Sequence, residues 1–456
     1  MRPGKFHMTT FAELGLSEKL LKALEKTTLK LPTPIQAQAI PYIMQGRDLM
    51  GLAQTGTGKT AAFGLPLLHR LLDLGHPPGP RNVRALILAP TRELVTQIFD
   101  NLSVFTKGTA VKVTVVVGGA SLNRQAERLS KGSDVLVATP GRLIDLLERG
   151  DVSLAQTGYL VLDEADHMLD MGFIHALRRI AKHIPLKRQT LLFSATMPKD
   201  IEEIADTYLR DPVRVQVAPP GKPVEKINQG VHYTPNGDKA RLLEEYLKKH
   251  PGEQALVFGR TKHGSEKLMK LLATWGFNTG SIHGNKSQSQ RDRTLTEFRA
   301  GTLEVLVATD VAARGIDIPG VRHVYNFDLP NVPENYVHRI GRTARAGAEG
   351  TAVAFCSPAE MGELQDIEKM LKKPIPVIGG APWAAEVVAA HPKPVQGRGQ
   401  RPAGRPQGQK AGQKHSGAKP ARPQGAAAAK PKPQGGSFSP RRAEGGKPRG
   451  AQRKPG

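Results

Sequence analysis

The chain has 456 residues, more than one hydrophobic core can serve, so two or three folding units are expected. Its formal charge of +24 is uneven: residues 391–456 hold sixteen Lys/Arg against the single acid Glu444, a bias that points to a polyanionic partner, and to nucleic acid over a membrane because no basic amphipathic helix accompanies it. The lone Cys356 excludes an intramolecular disulfide, no apolar run nears the ~18–20 residues of a membrane span, and "MRPGKFHMTT" lacks a signal-peptide core, so a soluble, cytoplasmic protein with no membrane partner is expected.

In chain order, "DLMGLA" (48–53) opens a series of short Val/Ile/Leu runs, followed by "RALILAP" (84–90), "VKVTVVVGG" (111–119), "DVLVATP" (134–140), "YLVLDEA" (159–165) and "QTLLFSAT" (189–196). Near-continuous apolar runs separated by amphipathic stretches indicate an α/β domain whose parallel sheet is covered on both faces. "APPGKP" (218–223) interrupts the pattern, which sets a first domain at 1–216 and a linker at 217–226. Between 227 and 378 a second α/β domain carries "QALVFGRT", "NTGSIHG", "EVLVATD", "HVYNFDLP" and "TAVAFCSP". A short echo links the halves, "DVLVATPGR" (134–142) against "EVLVATDVAARG" (305–315). After Lys373 the Pro/Gly/Gln/Ala-rich composition is too poor in apolar residues to offset chain entropy, so 379–456 is expected to be a disordered, basic, RNA-binding tail.

Two stretches carry phosphate chemistry. "AQTGTGKT" (53–60) follows one strand and precedes the helix-like "AAFGLPLLHRLL". Its Gly56, Gly58, Lys59 and Thr60 fit a P-loop, in which backbone N–H groups and a helix N-terminus cradle phosphates, the Lys reaches the β/γ-phosphates and the Thr hydroxyl ligates Mg²⁺. A dinucleotide fingerprint (Gly56, Gly58, Ala61) shares these letters but leaves Lys59 and Thr60 unused, and it lacks the acid expected ~20 residues on. The second stretch, "YLVLDEADHMLDMGF" (159–173), sets Asp163, Glu164 and Asp166 against an apolar strand. Burying such charge is costly unless a cation offsets it. Asp163 as Mg²⁺ ligand and Glu164 as the group that orients and deprotonates a water would make use of it.

"DEAD" at 163–166 together with the P-loop resembles the DEAD-box RNA helicases of superfamily 2, and further motifs of that family stand in family order over roughly residues 10–375. Phe11 and "PTPIQ" (32–36) look like its Q motif; "PTREL" (90–94), "GG" (118–119), "TPGR" (139–142) and "SAT" (194–196) follow, then "LVFGRT" (256–261), Gln288 with Arg291, "VATDVAARGID" (307–317) and "HRIGRTARAG" (338–347). The resemblance implies two tandem RecA-like domains, ATP and Mg²⁺ as cofactors, and RNA-stimulated ATP hydrolysis that drives local, non-processive duplex unwinding or remodelling of RNA and RNP.

Carried over residue by residue, it implies ATP binding by Phe11, Gln36, Gln54, Thr55, Gly56, Thr57, Gly58, Lys59, Thr60, Gly315 and Asp317, with Gln36 reading the adenine edge. Metal would be held by Thr60 and Asp163. Catalysis would fall to Lys59, Asp163, Glu164 and the arginine fingers Arg342 and Arg345. RNA contacts would come from Thr91, Arg92, Gly119, Thr139, Gly141 and Arg142 in the first domain, and from Arg260, Thr261, Gln288, Arg291, Thr309, Asp310 and Arg314 in the second. Asp166, Ser194, Thr196 and His338 would couple the phosphate site to the interdomain cleft. Two positions depart from the family: Leu29 replaces a common aromatic, and Ala344 a glycine between the fingers. Ribosome assembly, RNA decay and cold response are all compatible settings. No dimerisation module is recognisable after Lys373, so a monomer is expected.

Overall fold

The computed structural model describes residues 10–54, 56–74, 76–217, 227–313, 320–344 and 349–390; Thr55, Arg314, Gly315, Asp317, Arg345, most of the linker and the tail from 391 onward lie outside the described residues. Each apolar run read from the sequence is a strand. In the first half these are β1 (Leu49–Leu52), β2 (Val83–Leu88), β3 (Val113–Val116), β4 (Ser133–Ala138), β5 (Tyr159–Leu162) and β6 (Gln189–Ser194), joined by β7 (Val213–Gln216). In the second half they are β8 (Ile227–Tyr233), β9 (Ala255–Phe258), β10 (Thr279–Ile282), β11 (Val305–Ala308), β12 (His323–Asn326), β13 (Gly350–Cys356) and β14 (Val377–Gly379).

The two sheets are topological copies. The first runs β3-β4-β2-β5-β6-β1-β7 and the second β10-β11-β9-β12-β13-β8-β14, which is one order once each set is counted from its own first strand. The pairings within both are parallel. The sequence echo therefore has a structural basis, since β4 and β11 occupy equivalent places. Alternate residues of each strand enter opposite cores, as the period of two requires. Ala85, Ile87, Val135, Val137 and Phe193 pack on one face of the first sheet, Leu86, Leu88, Leu136 and Leu160 on the other. In the second sheet Leu256, Phe258 and Leu306 face one way and Val257, Val305 and Tyr325 the other.

Three strands escaped the sequence reading because they are short, polar or half-exposed. β7 and β14 are edge strands, and β8, "INQGVHY", is only partly covered. The last of these corrects a boundary. The chain does not leave the fold at 378: β14 pairs with β8, Ile375 is buried, and the Trp383 indole N–H donates to Cys356 O at 3.0 Å. One aromatic and one aliphatic anchor are enough to hold a segment whose average composition is otherwise that of a tail.

Most of the motif loops leave the carboxyl ends of parallel strands, the place where open α/β sheets bind ligands. β1 delivers the P-loop, β5 the acidic tetrad, β6 the "SAT" turn, and β2, β3 and β4 the "PTREL", "GG" and "TPGR" loops. In the second domain β9 and β11 deliver "GRT" and "ATD" in the same way.

Candidate active site

The P-loop is held open by its glycines. Gly56 and Gly58 have φ of 85° and 93°, the left-handed region that glycine enters without steric cost, and a Cβ on Gly58 would fall 2.4 Å from Gln36 Nε2. Gln36 is itself buried; its Oε1 accepts the Thr33 N–H at 3.0 Å and its Nε2 donates to Gly58 O at 3.0 Å. One donor and one acceptor position on that amide stay open for a base edge, while the bonds already made clamp the loop. The helix Lys59–Leu72 begins without a side-chain cap, leaving its first N–H groups for an anion. Lys59 is 6% exposed, yet its Nζ makes no hydrogen bond and lies 4.0 Å from Asp163 Oδ1. A buried ammonium with unused donors, a backbone cradle and an uncapped helix end together suit a phosphate chain.

These groups line a cavity of about 220 Å³ with Leu29, Gln36, Thr60, Asp163 and Glu164. Leu29, where the family commonly has an aromatic, thus faces the same space. Phe11 does not line it and is packed in the first-domain core.

The three carboxylates are buried but differ in environment. Burial pushes the Asp163 carboxyl up to about 6, with Lys59 opposing and Glu164 and Asp166 adding to the rise. A group so reluctant to ionise alone is suited to a dication. Burial also works against charge on Glu164, yet His167, Lys59 and Arg342 hold it well below the usual carboxylate range. Asp166 likewise stays low, burial being outweighed by His167, His338 and Lys59. Its Oδ2 accepts Ala195 N, Thr196 N and Thr196 Oγ1 at 3.0–3.1 Å, and Ser194 Oγ donates to Thr196 O at 2.7 Å. The structure thereby brings Asp166, Ser194 and Thr196 together, with His338 Nε2 4.0 Å from Asp166 Oδ2. Glu164 has φ 52° and ψ 53°, a left-handed conformation that costs a non-glycine residue ~1–2 kcal/mol. The Asp163 side chain offsets part of this by accepting the Glu164 N–H at 3.0 Å.

From the second domain, Arg342 is 4% exposed and its Nε donates to His338 O at 3.2 Å. It is near enough to favour the ionised form of Glu164. Ala344 has φ 55°, so the substitution for glycine strains the backbone two residues beyond Arg342. Exchanging that strain for glycine's larger entropy loss should leave a net gain of ~0.5–1 kcal/mol for Ala344→Gly. We expect its melting temperature to rise by about 1–3 °C; an unchanged or lower midpoint would show that the loop tolerates the methyl at no cost.

The loops that the resemblance assigns to RNA are brought into one row per domain. Thr91 and Thr261 cap helices, accepting Leu94 N and Gly264 N, and Thr139 precedes Pro140 at the start of another. Arg92 lies over Gly119, where a Cβ would meet its guanidinium at 2.3 Å, and Arg142 donates to Ala120 O at 2.8 Å. Across the cleft, Arg291 pairs with Glu93 at 2.9 Å and Gln288 Nε2 donates to the same carboxylate at 3.3 Å. Arg260 is engaged by Leu329 O and by Glu360, which the fully buried Lys239 also pairs. The Asp310 carboxylate accepts from Nε and one Nη of Arg339, at 2.5 and 2.7 Å, which fixes the loop on which it stands.

Sequence reasoning gave no role to Arg339, Glu93 or His167. Arg339 is a buried guanidinium that ties Asp310 to Asn326 and to Asp328 O, and only its place inside "HRIGR" hinted at it. His167 sits three residues after Glu164, the spacing that puts two side chains on one helical face.

The chain matches the DEAD/DEAH box helicase family model over residues 33–204 and the helicase conserved C-terminal domain model over 238–347. It is 46% identical over 368 residues to the DEAD-box ATP-dependent RNA helicase CshA of Geobacillus kaustophilus, covering 80% of this chain and 77% of that one. With the CshA helicase of Listeria monocytogenes the identity is 44%, covering 82% and 71%. Among solved structures it is similar to S. cerevisiae Dbp5 bound to RNA and ADP BeF3 (TM-score 0.73, 31% identity, covering 84% of this chain and 98% of that one). It is also similar to Mss116p bound to ssRNA and AMP-PNP (TM-score 0.75, 27% identity, covering 85% and 82%). With the motif loops assembled on two copies of one parallel sheet, and relatives of this identity over most of its length, the chain belongs to the DEAD-box ATP-dependent RNA helicases, hydrolases that act on ATP.

Proposed function

We propose that the chain is an RNA-stimulated ATPase that grips single-stranded RNA across its two domains and separates short duplexes locally. The observation that carries this is the meeting of the two domains at one site: His338 of the second lies 2.9 Å from His167 and 4.0 Å from Asp166 of the first, and Glu164, bonded to His167, lines a cavity with a buried, hydrogen-bond-free Lys59.

The P-loop amides and Lys59 hold the phosphate chain, and Gln36 keeps the loop in register with the base. Thr60 and Asp163 would hold magnesium, which neutralises phosphate charge and is matched by the reluctance of Asp163 to ionise unaided. Glu164, ionised, accepts the proton of the attacking water. Arg342 stabilises the charge that develops on the transferred phosphoryl group. RNA is held by hydroxyls, amides and guanidinium groups on the loops after β2–β4 and β9–β11, which capture phosphates and 2′-OH groups without reading bases. RNA and nucleotide each touch both domains, so each favours the binding of the other. Arg345, Arg314, Gly315 and Asp317 complete these sets in our reading, and the basic segment beyond 390 adds a salt-sensitive, sequence-blind tether. No helix among the described residues is long and apolar enough to cross a membrane.

Phosphate release measured with a polyribonucleotide and with DNA of matched sequence tests the reading. Stimulation by RNA that greatly exceeds stimulation by DNA is expected. Equal stimulation by both would replace the RNA clamp by a general strand translocase, and none by either would leave an uncoupled nucleotide site.

A further inference from the structure

His167 is 1% exposed and both of its ring nitrogens are engaged. Nδ1 lies 2.9 Å from Glu164 Oε2, and Nε2 lies 2.9 Å from Nδ1 of His338 in the other domain. The two rings stand edge to face, with centroids 4.5 Å apart at 87°, an angle that lets a nitrogen of one ring point at a nitrogen of the other.

The chemistry of the partners assigns the protons. An ionised carboxylate only accepts, so His167 Nδ1 carries a hydrogen and donates it to Glu164. His167 Nε2 and His338 Nδ1 lie at hydrogen-bond distance, so one of the two nitrogens donates and the other accepts. Burial above all pushes His338 down to about 3, and its Nδ1 is the atom that meets His167. Asp166, His167 and His338 come close enough together to suggest a metal centre, but with both His167 nitrogens taken they form a run of hydrogen bonds instead.

Resting on the reading of Glu164 as the base, we propose that His167 is a positioning residue that carries domain closure to it: His338 arrives with the second domain, orients the His167 ring, and that ring fixes the Glu164 carboxylate. Glu164 stands in a strained, left-handed conformation at the N-cap of the helix Ala165–Asp170, and such strain persists where surrounding contacts hold the residue. The base is therefore held more firmly when both halves of the site are assembled.

The test uses the full chain. His167→Ala should lower the RNA-stimulated kcat roughly ten- to hundredfold, the size expected for a lost hydrogen bond to a charged group, while the KM for ATP and the melting temperature stay near wild type. His167→Asn places an amide N–H where Nδ1 stood and should recover part of that loss. The double variant His167→Ala/His338→Ala should be no slower than the slower single one, since the two act in series. A wild-type kcat for His167→Ala, an additive double variant, or a loss of kcat matched by a rise in KM and a fall in melting temperature would each overturn the proposal. Should Glu164→Gln itself keep turning over, the underlying base assignment fails first. An inactive Glu164→Gln beside a fully active His167→Ala would remove only the positioning role.

Discussion

Replacing Arg342 by alanine is expected to lower RNA-stimulated ATP turnover by ~10³–10⁵, the range of an arginine that meets transferring phosphate. The structure explains why so much rests on one side chain. Arg342 is buried at 4% exposure and is steered by its bond to His338 O, so it is pre-positioned and needs little reorganisation when charge develops. Its positive field already acts on Glu164. Nucleotide affinity should change far less, because Lys59, the P-loop amides and Gln36 all belong to the first domain. Lysine at 342 should restore little, since an ammonium lacks the planar fork. Single-turnover phosphate release with RNA present, alongside titration of a fluorescent ATP analogue, separates the two quantities. A variant within tenfold of the parent rate would mean that the second domain contributes no transition-state charge from this position.

The second large effect is on Glu164. Its change to Gln should slow turnover by ~10²–10⁴, the usual contribution of a placed general base. The substitution is close to a pure test of charge. A carboxamide has the same shape, its oxygen can still accept the His167 Nδ1–H, and the Asp163 side chain can still receive the backbone N–H of residue 164. Losing one of three crowded negative charges also eases the burial of Asp163, which Glu164 makes harder to ionise. The variant should therefore bind nucleotide and RNA at least as well as the parent and retain them. Phosphate release and the dissociation rate of a labelled oligoribonucleotide give the answer together; turnover at the parent rate would show that another group takes the proton.

What the linear order of residues determined is everything contiguous. "GTGKT" reads as a phosphate cradle because the glycines, the lysine and the helix start are neighbours in the chain, and "VLDEAD" is a strand end with carboxylates for the same reason. The Val/Ile/Leu runs announced eleven of the strands because parallel strands buried on both faces must be apolar throughout. Strands β7, β8 and β14 were hidden because edge or half-covered strands need no such run, and the segment around Trp383 because one anchoring indole hardly alters local composition.

Only the tertiary structure decided which side chains meet. His167 and His338 are 171 residues apart in the chain and 2.9 Å apart in space. Arg339, 29 residues on, holds the Asp310 carboxylate. Glu93 receives Arg291 and Gln288 from 195 or more residues away. No periodicity signals such pairs. They follow from which strand ends the sheet order places side by side, and from a burial cost that forces each polar group brought there to find a partner.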